Sequence, residues 1–304
     1  MDREVRTARG WFEHLSERDL ELLGRLAARA GVSPSDVGTD PAALTQVLAH
    51  PGAFEAVFAN PDDETLVATS PFLTFALVVH RTWTELQTAR HVDEWVGPRQ
   101  RLPVLGGDDL REFLAAPPRR LFLTELLASY TRVASGSTWV HTRRGWRRRR
   151  FSELDPVRLA SLLEVVPEEE RSGVYRRLGD LALFLTGVFP DHTELHGLGV
   201  HDEARLLRIG GLSVDDRHVD DRHVDDRHSL RLGPGATGTV GLLERLGERW
   251  YRLAARTAVP PLTGTMPVVA DVAERFGLAR RTLNYLTDRH LFARRALWFG
   301  PPGG

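Results

Sequence analysis

The chain contains no cysteine, which removes disulfides, thiolate nucleophiles and cysteine-ligated zinc from consideration. Lysine is absent too, so all 40 basic residues are arginine. A GC-rich coding bias has this effect, and without lysine no G-x-x-x-x-G-K-[ST] phosphate loop can be completed. No apolar run is long enough to span a bilayer; the greasiest stretch, Pro71 to Val79, is too short. The start, Met1-Asp2-Arg3-Glu4-Val5, has no basic-then-apolar export pattern, so a cytoplasmic protein that avoids membranes is expected. Neither sign of charge dominates: 40 arginines face 41 acidic residues, for a formal net charge of −1. No global field draws the protein to nucleic acid, and any such role must rest on a local patch. Serines such as Ser135 and Ser137 lack a nucleophile-elbow context, and no cofactor is implied.

With 304 residues, 42% hydrophobic and 27% charged, the chain has an ordinary globular composition and room for two units. Helix signals dominate. Ser16-Glu17-Arg18-Asp19 opens a helix in capping-box fashion, with aspartate in place of the commoner glutamate. Asp40-Pro41, Ser70-Pro71, Pro117-Pro118 and Asp155-Pro156 pair a cap or break with a proline suited to the first helical turn. The helix through Phe72, Phe75, Ala76, Val79 and Trp83 is apolar enough to be the centre of a bundle. Thr138 to Thr142 and Trp146 to Phe151, around Arg143-Arg144-Gly145, predict two short strands and a turn. Long helices are expected from about Glu168 to Val188 and Val240 to Thr257. The fold class is mainly α, a multi-helix bundle with one small β-hairpin around residues 138–151. The expected layout is a helical body over 1–210, a repeat loop over 211–235 and a helical C-terminal segment over 236–304 that need not stand alone.

The segment Gly179-Asp180-Leu181-Ala182-Leu183-Phe184-Leu185-Thr186-Gly187-Val188-Phe189-Pro190 resembles an uncharacterised helical family of bacterial proteins carrying G-D-x-A-L-F-x-x-G-x-F-P. The resemblance implies an all-helical fold and no activity. On physical grounds the same residues describe a buried helix whose glycines, Gly179 and Gly187, permit close helix contact.

Two stretches suggest nucleic-acid contact. Val269 to Leu286 resembles a helix-turn-helix, with small Ala273 at the helix contact, Gly277 at the turn, and Leu278, Leu283 and Leu286 inward. Arg280, Arg281, Asn284 and Arg289 would then face a DNA groove. A plain terminal helical hairpin has the same pattern, and Asp271, Glu274 and Asp288 dilute the positive charge. The second stretch holds Arg143, Arg144, Arg147, Arg148, Arg149 and Arg150 among Trp139, Trp146 and Phe151. Arginine forks suit phosphates and tryptophan suits bases, so Arg143, Arg144, Trp146, Arg147 and Arg149 are candidate contacts. Alternate strand residues take opposite faces, however, and a solvated, ion-paired hairpin is the competing reading.

His192-Thr193-Glu194-Leu195-His196 offers two histidines at i and i+4, the spacing of a zinc pair on a helix. Glu194 falls on the opposite face from both, and His201 comes one residue early for the third metzincin ligand. Val214 to His228 repeats Val-Asp-Asp-Arg-His three times without change. A five-residue step cannot bring His218, His223 and His228 together on a helix or strand, so a length-tolerant, solvated loop is expected. These features favour a non-enzymatic binding or regulatory protein that contacts DNA, RNA or an acidic protein through arginine. The alternative is a metal-dependent hydrolase using His192 and His196.

Overall fold

Proline and acidic caps set most helix starts. The computed structural model describes residues 9–58, 69–105, 107–133, 135–142, 145–212, 238–258 and 265–292; for 135–142 and 145–151 the description is of backbone and register. The triple repeat lies outside the described residues. The chain folds into two units: Met1–Val92 with Val104–Thr131 and Tyr285–Gly304, and Asp93–Pro103 with Arg132–Asn284. The C-terminal segment is therefore shared between the two units.

The first unit is helical. After a helical segment at 9–14 come α1 (Glu17–Ala27), α2 (Pro41–Ala49), α3 (Pro51–Phe58), α4 (Pro71–Leu86), α5 (Asp108–Ala115) and α6 (Pro117–Ser129). Ser16 Oγ accepts from the Asp19 amide at 3.2 Å, and Asp19 Oδ2 accepts from the Ser16 amide at 2.9 Å, completing the expected capping box. Asp19 also does something the sequence does not announce. Its Oδ1 accepts from the Ser70 amide at 3.0 Å, so one buried carboxylate joins the starts of α1 and α4. As expected, α4 is central, with α2, α3, α5 and α6 packed on it. Leu73, Leu77, Val78 and Val79 are fully buried, together with His80 and Thr82. Thr82 returns its hydroxyl to the Val78 carbonyl at 2.8 Å, which meets the cost of burying it.

The second unit contains α7 (Pro156–Ala160), α8 (Arg171–Val188), α9 (Pro190–Leu195), α10 (Val200–Gly210), α11 (Thr239–Thr257), α12 (Met266–Glu274) and most of α13 (Phe276–Leu286). Its core is the pair α8 and α11. Gly179 lies under the ring of Tyr251, where any side chain would overlap it, and Tyr251 donates to Asp180 Oδ1 at 2.8 Å. A Cβ on Gly187 would stand 2.7 Å from that of Leu283, and Gly247 is pressed between Phe276 and Ala182. Gly179 and Gly187 therefore act as close-contact residues, as their chemistry suggests.

Two antiparallel ribbons are present among the described residues. The expected one pairs β3 (Ser135–Thr142) with β4 (Gly145–Ser152). The other, β1 (His91–Gly97) with β2 (Gln100–Leu105), is not anticipated by the sequence reading. Its turn carries Arg99 at φ 59, a left-handed conformation usually left to glycine or asparagine. Among the described residues no helix is long and apolar enough to cross a membrane.

Candidate nucleic-acid interface

The C-terminal helices do not present a reading surface. The break between α12 and α13 falls at Arg275, and Gly277 already belongs to the first turn of α13. Gly277 instead serves close packing, since a Cβ there would stand 2.8 Å from Glu244 Oε1. Arg280 is buried, with Nε 2.9 Å from Glu244 Oε2 and Nη1 donating to Asn284 Oδ1 at 3.0 Å. Asn284 is buried as well, and its Nδ2 donates to the Thr186 and Gly187 carbonyls at 3.0 and 2.7 Å. Those carbonyls lie in the last turn of α8, which has no partner for them within the helix. Arg281 is ion-paired to Glu94, and both side chains are largely covered. Arg289 lies in the other unit, 2.8 Å from Glu85. Arg280, Arg281 and Asn284 thus hold the second unit together, and the expectation that they face a DNA groove is corrected. The pattern misleads because inward arginines on an amphipathic helix look like outward ones until their acidic partners are known.

His192 and His196 do come together, with ring centroids 4.1 Å apart and nearly parallel. Both are exposed, and His196 Nδ1 lies 3.0 Å from the His192 carbonyl oxygen, to which it donates. Among the described residues no group of three metal-ligating side chains forms, and none of those residues joins His192 and His196 as a third zinc ligand. Glu194 has a different task. Its Oε2 accepts from the Val240 amide at 3.0 Å, capping the start of α11 from a distance. Gly238 is needed beside it, because a side chain there would overlap the carboxylate.

Other polar groups, partly or fully buried, are also engaged in structure. Asp191 Oδ1 accepts from Trp95 Nε1 at 2.7 Å and from the Arg99 amide at 2.9 Å, while the Arg101 guanidinium lies 3.3 Å away. This carboxylate pins the tip of the β1–β2 ribbon and its left-handed turn. Burial alone would raise its pKa; the bonds from Arg99, Trp95 and Arg101, with the charge of Arg101, outweigh that and lower it. In the first unit, Arg120 stacks 4.1 Å over Trp83 and donates to the Leu114 and Ala115 carbonyls at 2.6 and 3.0 Å. Burial and then the Arg120 charge push His80 down to about 3, so it is neutral, and its Nδ1 donates to the Ala76 carbonyl at 2.9 Å.

The β3–β4 ribbon is different. Residues 135–152 hold six arginines and not one aspartate or glutamate. The register pairs Ser137 with Arg150, Trp139 with Arg148 and His141 with Trp146 on one face. Thr138 with Arg149, and Val140 with Arg147, fall on the other, because paired residues share a face and neighbours alternate. The sequence-level set is thereby divided: Trp146 takes the face of Arg148 and Arg150, opposite Arg147 and Arg149. Arg143 and Arg144 lie outside the described residues. Within this unit, the helix α7 that follows β4 in the chain packs against it. Searches against protein-family models, curated proteins and solved structures returned no match to this chain.

Proposed function

We propose that the protein is a non-enzymatic nucleic-acid-binding protein whose contact element is the β3–β4 ribbon. The observation that carries this is the ribbon's charge, six arginines without an acid over residues 135–152, four of which, Arg147 to Arg150, are divided between the two faces by the β3–β4 register. Elsewhere in the described chain, arginine side chains are repeatedly matched to acids: Arg81 to Glu85, Arg177 to Glu153, Arg205 to Glu164, Arg280 to Glu244. The ribbon has no acid of its own to do this, and polyphosphate is the ligand whose charge and fork geometry suit a run of guanidiniums. A two-stranded ribbon also has the dimensions to enter a nucleic-acid groove or lie along a strand. A cytoplasmic setting suits this role.

The test is fluorescence anisotropy of labelled oligonucleotides across a salt series. Binding that weakens steeply, with a log–log slope of roughly −2 to −4 for a ribbon neutralising three or four phosphates, is the expected result. Replacing Arg147, Arg148, Arg149 and Arg150 together by alanine should flatten the slope and remove most of the affinity. No binding at low salt, or binding unchanged in that variant, overturns the proposal.

A further inference from the structure

The two faces of the ribbon carry the same number of β4 arginines from the run 147–150 and differ in everything else. One face has Trp139, His141 and Trp146 in two adjacent rows, His141–Trp146 and Trp139–Arg148, with Ser137–Arg150 as the next row. The other has Thr138, Val140 and Thr142 with Arg147 and Arg149, and its single ring, Phe151, stands in the outer row opposite Gly136. Phosphate neutralisation by arginine is indifferent to whether a nucleic acid is single- or double-stranded. The rings are not indifferent, because a base offers a free π-face only when it is out of a paired stack.

We infer that the Trp139–Trp146 face of this ribbon takes single-stranded nucleic acid, with bases on the rings and phosphates on Arg148 and Arg150. This rests on the reading of the ribbon as a nucleic-acid contact and adds the class of substrate to it. Spacing supports it. Successive rows on one face of a strand are two residues, or about 6.8 Å, apart. Two stacked layers at about 3.4 Å each, one base and one ring, take the same length, so the rows are commensurate with a strand whose bases alternate with side-chain rings. Three rows then accommodate about three nucleotides. A duplex has its base faces already covered, and inserting a ring into it requires unstacking a base step. Against a duplex this face therefore offers only its two arginines, the same number as the opposite face.

The experiment uses the full chain and three fluorescein-labelled probes: a 12-nucleotide oligo-dT, a 12-nucleotide oligo-U and a 12-base-pair duplex. The wild type is expected to bind each single strand about tenfold or more tighter than the duplex, as one or two stacked bases would provide. In the double variant Trp139→Ala/Trp146→Ala, single-strand affinity should fall by about tenfold or more while duplex affinity is unchanged. Trp139→Phe/Trp146→Phe keeps both rings and should restore most of the preference, which separates stacking from a damaged ribbon. Arg148→Ala/Arg150→Ala should weaken single-strand binding by more than Arg147→Ala/Arg149→Ala, which removes the same charge from the opposite face. Duplex binding as tight as single-strand binding, or single-strand affinity untouched by the tryptophan-to-alanine pair, overturns the inference and leaves the ribbon a charge-only contact. Binding to none of the three probes overturns the nucleic-acid reading itself.

Discussion

Helix α13 and strand β4 both bring adjacent arginines to mind as a contact surface, and the fold treats them in opposite ways. Arg280 and Arg281 of α13 each find a glutamate, Glu244 and Glu94, and both pairs are largely covered. The four consecutive arginines of β4 sit on a strand paired with one that carries no acid at all. Arginine content alone therefore distinguishes nothing in a chain where arginine is the whole basic complement. The informative quantity is where the opposing carboxylates fall, and for α13 they are far away in sequence: Glu94 is 187 residues from Arg281. Local charge balance is the better guide for β4 because a hairpin's nearest neighbours are its own strands.

The largest effect that would sharpen this contrast comes from removing a buried charge. Arg280→Met strands Glu244 in a covered position and deletes the bond to Asn284. Unfolding free energy from urea titration should fall by about 3 kcal/mol, in the range seen when one partner of a buried pair is lost. Oligonucleotide affinity of the remaining folded protein should not change. An Arg280→Met protein of normal stability with weakened binding would reverse the comparison. Asn284→Ala is next, at about 2 kcal/mol, because it leaves the Thr186 and Gly187 carbonyls buried without their donor. Arg148→Ala should behave oppositely, with stability within about 0.5 kcal/mol of wild type. Its salt slope for oligonucleotide binding should drop by about 1. A loss of several kcal/mol there would mean that β4's arginines are structural after all.

What could be read in advance follows from range. Caps are local, and Ser16, Asp40, Ser70 and Asp155 all accept backbone amides at the helix starts where the sequence puts them. The apolar density of α4 likewise marks it as the central helix before any contact is known. The β1–β2 ribbon was not legible, because its second strand is mostly exposed, contains Pro103 and shows no inward alternation. Its turn is held by Asp191 from a distant helix, which no local pattern announces. Gly277 was misread for a related reason: glycine at a helix junction suggests a turn, whereas here it makes room for Glu244. At the candidate site the sequence fully exposes the charge run. Which ring shares a face with which arginine depended on register, and a one-residue slip would have exchanged the two faces.

The smallest expected effect probes an arginine contact that is structural yet partly open to solvent, intermediate between α13 and β4. Asp191 accepts bonds from Trp95, the Arg99 amide and Arg101 on the β1–β2 ribbon, and its pKa is lowered in the fold. A depressed carboxylate contributes stability that is complete above its unfolded pKa and is lost as pH falls through the lower folded value. Asp191→Asn should therefore cost stability at pH 6 to 7, by less than about 1 kcal/mol given the solvent screening of a partly exposed pair. The difference from wild type should shrink as the pH is taken below about 4, where the unfolded carboxylate begins to protonate. Urea midpoints of both proteins across that range give the comparison directly. A gap that widens toward acid would mean Asp191 is held protonated in the fold, and the clamp on Arg99 and Arg101 would need another explanation. A gap that is constant with pH would assign the cost to the lost hydrogen-bond geometry alone, without the charge of Arg101.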